Sequence, residues 1–138
     1  MALHLLKLCV GVSEVSELAD WQERRRRENA RIFHVTRMIP RRRDEVLDGG
    51  SLYWVIRAKI TVRQQIIDIE PFTDVDGINR CRLVFDPELV LVKPVPKRAF
   101  QGWRYLKAED APADLGKQNG HADLPVEMRL ELAELGLL

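Results

Sequence analysis

Leu3 to Val10 opens the chain as a short apolar run closed by Gly11, the pattern of a buried strand. Polar residues follow, with Ser13 and Ser16 as N-cap candidates and Glu14 and Glu17 suited to the positive end of a helix. Val15, Leu18, Ala19 and Gln22 then recur at helical spacing, with Trp21 three positions after Leu18. The helix runs out into Glu23-Arg24-Arg25-Arg26-Arg27-Glu28. Arginines there suit the negative end of the helix dipole.

From Ile32 the period becomes two. Ile32 to Met38 reads as a strand with Phe33, Val35 and Arg37 on one face and His34, Thr36 and Met38 on the other. Pro40 ends it and opens a short helix, Arg41 to Leu47, which Gly49-Gly50 stops. Ser51 to Ile56 is a strand with Leu52, Trp54 and Ile56 on one face, and Lys59 to Ile69 is a longer one. In that long strand the alternation changes phase. Ile60 and Val62 share one parity and Ile67 and Ile69 the other, so a bulge is expected at Gln64-Gln65, bending the sheet as small barrels require.

Pro71 is expected to end the long strand, and Asp74-Val75-Asp76-Gly77 to form a turn. Arg80 to Phe85 alternates as a strand, Asp86-Pro87 turns, and Leu89 to Val92 is apolar on both faces before Pro94 and Pro96. Phe100 to Lys107 carries an aromatic group, and 108–123 is polar and loop-like. Leu124 to Leu135, with Pro125 near its start and Gly136 after its end, has the spacing of an amphipathic helix. The expectation is one α+β domain over 1–138, a compact bent β-sheet or a small β-barrel with flanking helices. Its β-rich core covers 32–106, followed by a C-terminal loop and helix over 108–138.

Composition agrees with a single domain: 138 residues, 46% hydrophobic and 31% charged, fall in the range of a globular chain. Charge adds more. Nine arginines lie between Arg24 and Arg43 against Glu28 alone, whereas from Arg104 onward seven acids outnumber four bases. Clustered arginines supply the electrostatic term of nucleic-acid binding. The same split serves equally to neutralise one half by the other, within the fold or across a dimer, and the sequence pI of 7.8 favours that reading. Cys9 and Cys81, each in an apolar run, match no zinc or redox spacing. No stretch approaches the ~20 apolar residues of a membrane span, and the N-terminus lacks a basic region and cleavage site, so a cytoplasmic location is expected.

No catalytic motif stands out. His4, His34 and His121 lack ligand-spaced partners, so neither a metal nor a cofactor is expected. Asp74-Val75-Asp76-Gly77 begins like a calcium loop but lacks its later ligands. Gly49-Gly50 is neither a phosphate loop nor a dinucleotide fingerprint. A hydrolytic site built from Thr36, Lys59 and either Asp68 or Glu70 requires those groups to converge. The strongest constellation is arginine interleaved with aromatics: Arg37, Arg41, Arg42, Arg43, Tyr53, Trp103 and Arg104. Arginine binds phosphate bidentately and aromatic faces stack on bases, so the expected partner is RNA or a modified nucleotide. Trp54 reads as a core residue instead, and His34 as a partly buried structural one.

The opening MALHLLKLCVGVSEVSELADWQ, the block HVTRMIPRRRDEVLDGGSLYWVI, and the later DPELV and FQGWRYLKAEDAP together resemble a small bacterial family of domains of unknown function, of about this length. That resemblance covers nearly the whole chain and implies no activity. A second one, over Phe33 to Tyr105, is architectural: a short acidic-apolar helix, a glycine turn, LYWVI and a long strand ending near a proline are similar to PUA-like barrels, including the ASCH and EVE groups. It implies RNA or modified-base recognition. The Lys-x-x-Thr pair of the small ASCH hydrolases is missing, so no catalytic residue is carried over. Three functions follow as expectations: a binding domain for RNA or a modified nucleotide, a small hydrolase of a nucleoside-like substrate, and an assembly module that dimerises through the C-terminal helix.

Overall fold

The computed structural model describes residues 2–29 and 31–115. The helix expected over 124–135, and with it the dimer contact assigned to it, lies outside the described residues. The elements are β1 (Leu3–Leu8), α1 (Val15–Asn29), β2 (Ile32–Thr36), α2 (Arg43–Leu47), β3 (Ser51–Ile56), β4 (Lys59–Thr73), β5 (Asn79–Phe85), β6 (Val90–Pro96) and β7 (Trp103–Lys107). The seven strands form one mixed sheet in the order β2-β5-β4-β3-β1-β7, with β6 also paired to β4. The sheet does not close on itself: β2 and β7 are its two ends. This is an α+β fold with a bent, open sheet, the first of the two expected forms and not a barrel.

β4 is the spine. Its first half pairs with β3 through Ile56↔Lys59 to Ser51↔Gln65, and its second half pairs with β5 through Ile66↔Phe85 to Thr73↔Asn79. The peptide joining Gln65 to Ile66 bonds outward on both sides. The Gln65 carbonyl accepts from Asp86 N–H at 2.9 Å, and Ile66 N–H donates to the Gly50 carbonyl at 3.0 Å. The chain of β5 and β6 therefore runs down one edge of β4 and β3 along the other. Where β3 ends, the second half of β4 keeps β5 as its one strand neighbour among the described residues, and the sheet bends away.

The bulges that produce this bend are not at Gln64-Gln65. Opposite β5, Ile67 is the extra residue between Ile66 and Asp68, and opposite β3, Thr61 is the extra residue between Ile60 and Val62. Gln64 stays in register because its side chain is committed to the core. Pro71 does not stop β4 but pairs with Cys81 inside it. The Ile69 carbonyl bonds Arg43 on the edge away from β5, and two residues later the Pro71 nitrogen faces the same open edge, where no N–H is needed. Pro94 and Pro96 likewise lie within β6, an edge strand.

β1 lies at the centre of the far half, parallel to β3 (Leu5↔Leu52) and antiparallel to β7 (Leu5↔Tyr105). The sheet therefore begins well before residue 32. One face buries Leu5, Leu52, Trp54, Val62, Ile66, Ile69 and Leu83 against Val15 and Leu18 of α1 and Val46 of α2. The other face buries Leu6, Tyr53, Val55, Ile60, Val92 and Leu106. Every residue of β3 is buried, because both faces of the sheet are covered there. No described helix is long and apolar enough to cross a membrane.

Candidate functional site

Helix α1 turns Val15, Leu18 and Gln22 into the core, all three buried. That phase leaves Glu17, Asp20, Trp21, Arg24 and Arg25 on the flank facing strand β2 and the end of β1. Between these elements lies a pocket of about 670 Å³, a size suited to a small organic ligand. Lys7, Cys9 and Gly11 line it from β1 and the following turn, and Phe33, His34 and Val35 from β2. Trp54 of β3 closes its depth. Alternate side chains of a strand point to opposite faces, so three consecutive β2 residues reach one pocket only along the strand edge. β2 pairs with β5 alone among the described residues, so its other backbone edge carries no strand, and Phe33, His34 and Val35 line the pocket.

Aromatic and cationic groups meet there. Trp54 is buried, with His34 edge-on at 6.0 Å between ring centroids and Phe85 at 5.9 Å. Its indole N–H donates to Gln64 Oε1 at 3.4 Å, which fixes the ring plane. The Arg25 guanidinium lies 4.6 Å from the centroid of the Trp21 ring. Burial first, then the cations of Lys7 and Arg25, push the His34 pKa down to about 4, so the imidazole is neutral at pH 7. Lys7 is itself pushed below the ordinary lysine range by burial. Glu17 and Asp20 complete the rim, and Glu17 accepts from the Ser13 hydroxyl at 2.6 Å. The field felt at His34 is nonetheless set by cations.

The expected arginine and aromatic residues are divided between the two faces of the sheet. Trp103 is buried, donates its indole N–H to the Met38 carbonyl at 2.7 Å, and packs edge-on against Tyr105 at 4.9 Å. Arg42 joins them. Its backbone N–H donates to the Tyr105 hydroxyl at 3.1 Å, and its guanidinium lies 5.8 Å from that ring while pairing with Glu45. Arg43 is spent on the Ile69 carbonyl and Asp68, each at 3.0 Å. Arg37 and Arg41 are exposed. Tyr53 is buried on the opposite face, edge-on to His4 at 5.1 Å. Arg104 shares that opposite face, over Phe100 at 4.7 Å. Trp103 and Arg42 thus meet through Tyr105, Arg43 turns to the second half of β4, and Tyr53 and Arg104 lie on the other face.

The hydrolytic set is not assembled. Lys59 pairs with Ile56 and Pro96 at one end of β4, while Asp68 and Glu70 lie in its other half, ~30 Å along an extended strand. Asp68 and Glu70 are held by Arg43 and Arg31. The Asp74 turn is a hairpin turn, its carboxylate accepting from Asp76 and Ile78 N–H groups and pairing with Arg80 at 2.5 Å. Burial pushes the thiols of Cys9 and Cys81 up to about 11, so neither is a nucleophile at neutral pH. Among the described residues no cluster of three metal-ligating side chains occurs.

Reasoning from sequence missed the pocket because its parts are scattered over four elements. One signal was present: Glu17, Trp21, Arg24 and Arg25 form a second helical stripe beside the apolar one.

No curated protein and no solved structure matches the chain. A family described as a protein of unknown function, DUF1489, matches residues 5–138, nearly the whole chain and including every residue that lines the pocket. The chain belongs to the DUF1489 family.

Proposed function

We propose that this chain is a nucleotide-binding domain whose ligand occupies the pocket between α1, β1 and β2. One observation carries the reading: Trp21, Phe33 and Trp54 supply aromatic walls where Lys7, Arg24 and Arg25 supply positive charge. A nucleotide needs both, a planar face to stack on and a cation for its phosphate. The open backbone edge of β2 offers N–H and carbonyl groups to the rim of a base, which is how a pocket distinguishes a base from any flat ring. Neutral His34 adds one donor and one acceptor.

Titration with adenosine monophosphate tests this, followed through the fluorescence of Trp21 and Trp54. Saturable quenching is expected, and Lys7→Met or Arg25→Ala should each weaken it by about tenfold, the loss of one charge-assisted hydrogen bond. No response at millimolar nucleotide would discard the proposal.

A second reading keeps the exposed surface around Arg42, favoured by the guanidinium over Tyr105 beside Met38 and Trp103. The two readings separate cleanly. Replacing Arg41, Arg42 and Arg43 together abolishes binding if that surface carries it, and leaves the affinity within about twofold if the pocket does.

A further inference from the structure

We infer that the ligand is a nucleotide within a single strand, and that the outer face of β2, β5 and β4 binds the neighbouring residues of that strand; this rests on the pocket reading above. The register sets Val35 against Arg82 and Glu70, Phe33 against Val84 and Asp68, and Arg80 against Phe72, so all of these share one face. The opposite face of the same strands carries Cys81, Leu83 and Ile69 and is core.

Two phenylalanines flank one arginine on this outer face. The Arg82 guanidinium lies 4.0 Å from the Phe72 ring centroid and 5.9 Å from that of Phe33. Both rings are half-buried, and Val35 is exposed. The acids of the face each have an arginine of their own. Glu70 pairs with Arg31 at 2.8 Å, Asp68 with Arg43 at 3.0 Å and Asp74 with Arg80 at 2.5 Å. Arg82 forms no ion pair among the described residues; it lies over aromatic rings and, across the strand from Glu70, adds to the field that Arg31 sets on that carboxylate. A stacked guanidinium between aromatic rings matches a phosphate flanked by bases.

The face is continuous with the pocket, because Phe33 and Val35 line both. From β2 to β4 is two strand spacings, about 10 Å, which puts Phe72 within reach of the residues adjoining a pocket-bound nucleotide. A free nucleotide would use the pocket alone and leave Arg82 and Phe72 idle.

The test compares adenosine monophosphate with ten-residue oligoadenylates, in ribose and deoxyribose forms, on the wild-type chain and on Arg82→Ala and Phe72→Leu. The leucine keeps the apolar body of the side chain, and thermal unfolding checks that each variant is folded. At least one decamer is expected to bind about tenfold or more tighter than the monophosphate. Each variant should weaken the decamer by about tenfold and leave the monophosphate affinity unchanged. Arg82→Ala should also reduce the logarithmic salt slope by about one. Decamers that bind no tighter than the monophosphate, or an excess that survives both substitutions, overturn this inference alone. A wild-type chain that does not bind the monophosphate overturns the pocket reading and this inference with it.

Discussion

Gln22 on α1 and Gln64 on β4 form a reciprocal amide pair in the core. Each side-chain N–H₂ donates to the other's carbonyl oxygen at 2.8 Å, and both residues are buried. Gln64 also donates to the Asp86 carbonyl at 2.8 Å and accepts from the Trp54 indole. One polar side chain therefore ties the helix, the spine strand, the turn before β6 and the depth of the pocket together.

Because the pair is buried, breaking one half leaves the other amide without a partner. Gln64→Leu should destabilise the fold by about 2 kcal/mol. The double variant with Gln22→Leu should cost less than the sum of the two single ones. Urea unfolding of the four proteins checks this. Additive losses would mean that the amides do not act as a unit.

His34 makes stability depend on pH. Its pKa in the folded chain, about 4, lies below the ordinary 6.5, so as pH falls the unfolded chain takes the proton first. The contribution is complete above about pH 6.5 and drains away between there and about 4. Between pH 7 and 4.5 the wild-type chain should lose about 2 kcal/mol more than a His34→Gln variant. Parallel pH profiles of the two proteins would contradict the assignment.

Gly49 and Gly50 read alike in the sequence and differ in the structure. A Cβ on Gly50 would lie 2.3 Å from both the Leu3 and Val46 carbonyl oxygens, which are backbone and cannot move aside. Gly49 has open space around it but a φ of +88°, which costs a side chain about 1 kcal/mol. Gly50→Ala should cost more than about 3 kcal/mol and Gly49→Ala about a third of that, measured by thermal unfolding. Equal losses would place the constraint in the turn rather than in the contact of α2 with β1.

The strand positions were largely legible because period-two alternation and turn residues act locally. Ser51 to Ile56 falls where the alternation put it, and Asp74 to Gly77 turns as its composition implies. The turn between β3 and β4 was not legible. Arg57 and Ala58 take φ values of 54° and 63° without the Asn-Gly that usually marks such a turn, because pairing of the flanking strands imposes it. The prolines misled for a related reason. A proline ends a strand only where its missing N–H is needed, and that depends on which edge faces a neighbour. Trp54 is buried and His34 partly buried, as their places in the alternation imply. Their place at the depth and wall of a pocket was invisible, since it depends on where α1 and β1 end.

By itself the sequence determined the α+β class, the helical face of Val15, Leu18 and Gln22, the phase change in the long strand and the charge excess of residues 24–43. These are properties of nearest neighbours along the chain. Only the tertiary structure decided that β1 pairs with β3 nearly fifty residues later (Leu5↔Leu52). Only the tertiary structure decided that the sheet stays open at β2, and which arginines are consumed by carboxylates. Arg82 and Arg43 look equivalent on paper. One is paired and the other rests between phenylalanines, because strand register, a property of long-range packing, chooses the partner of each side chain.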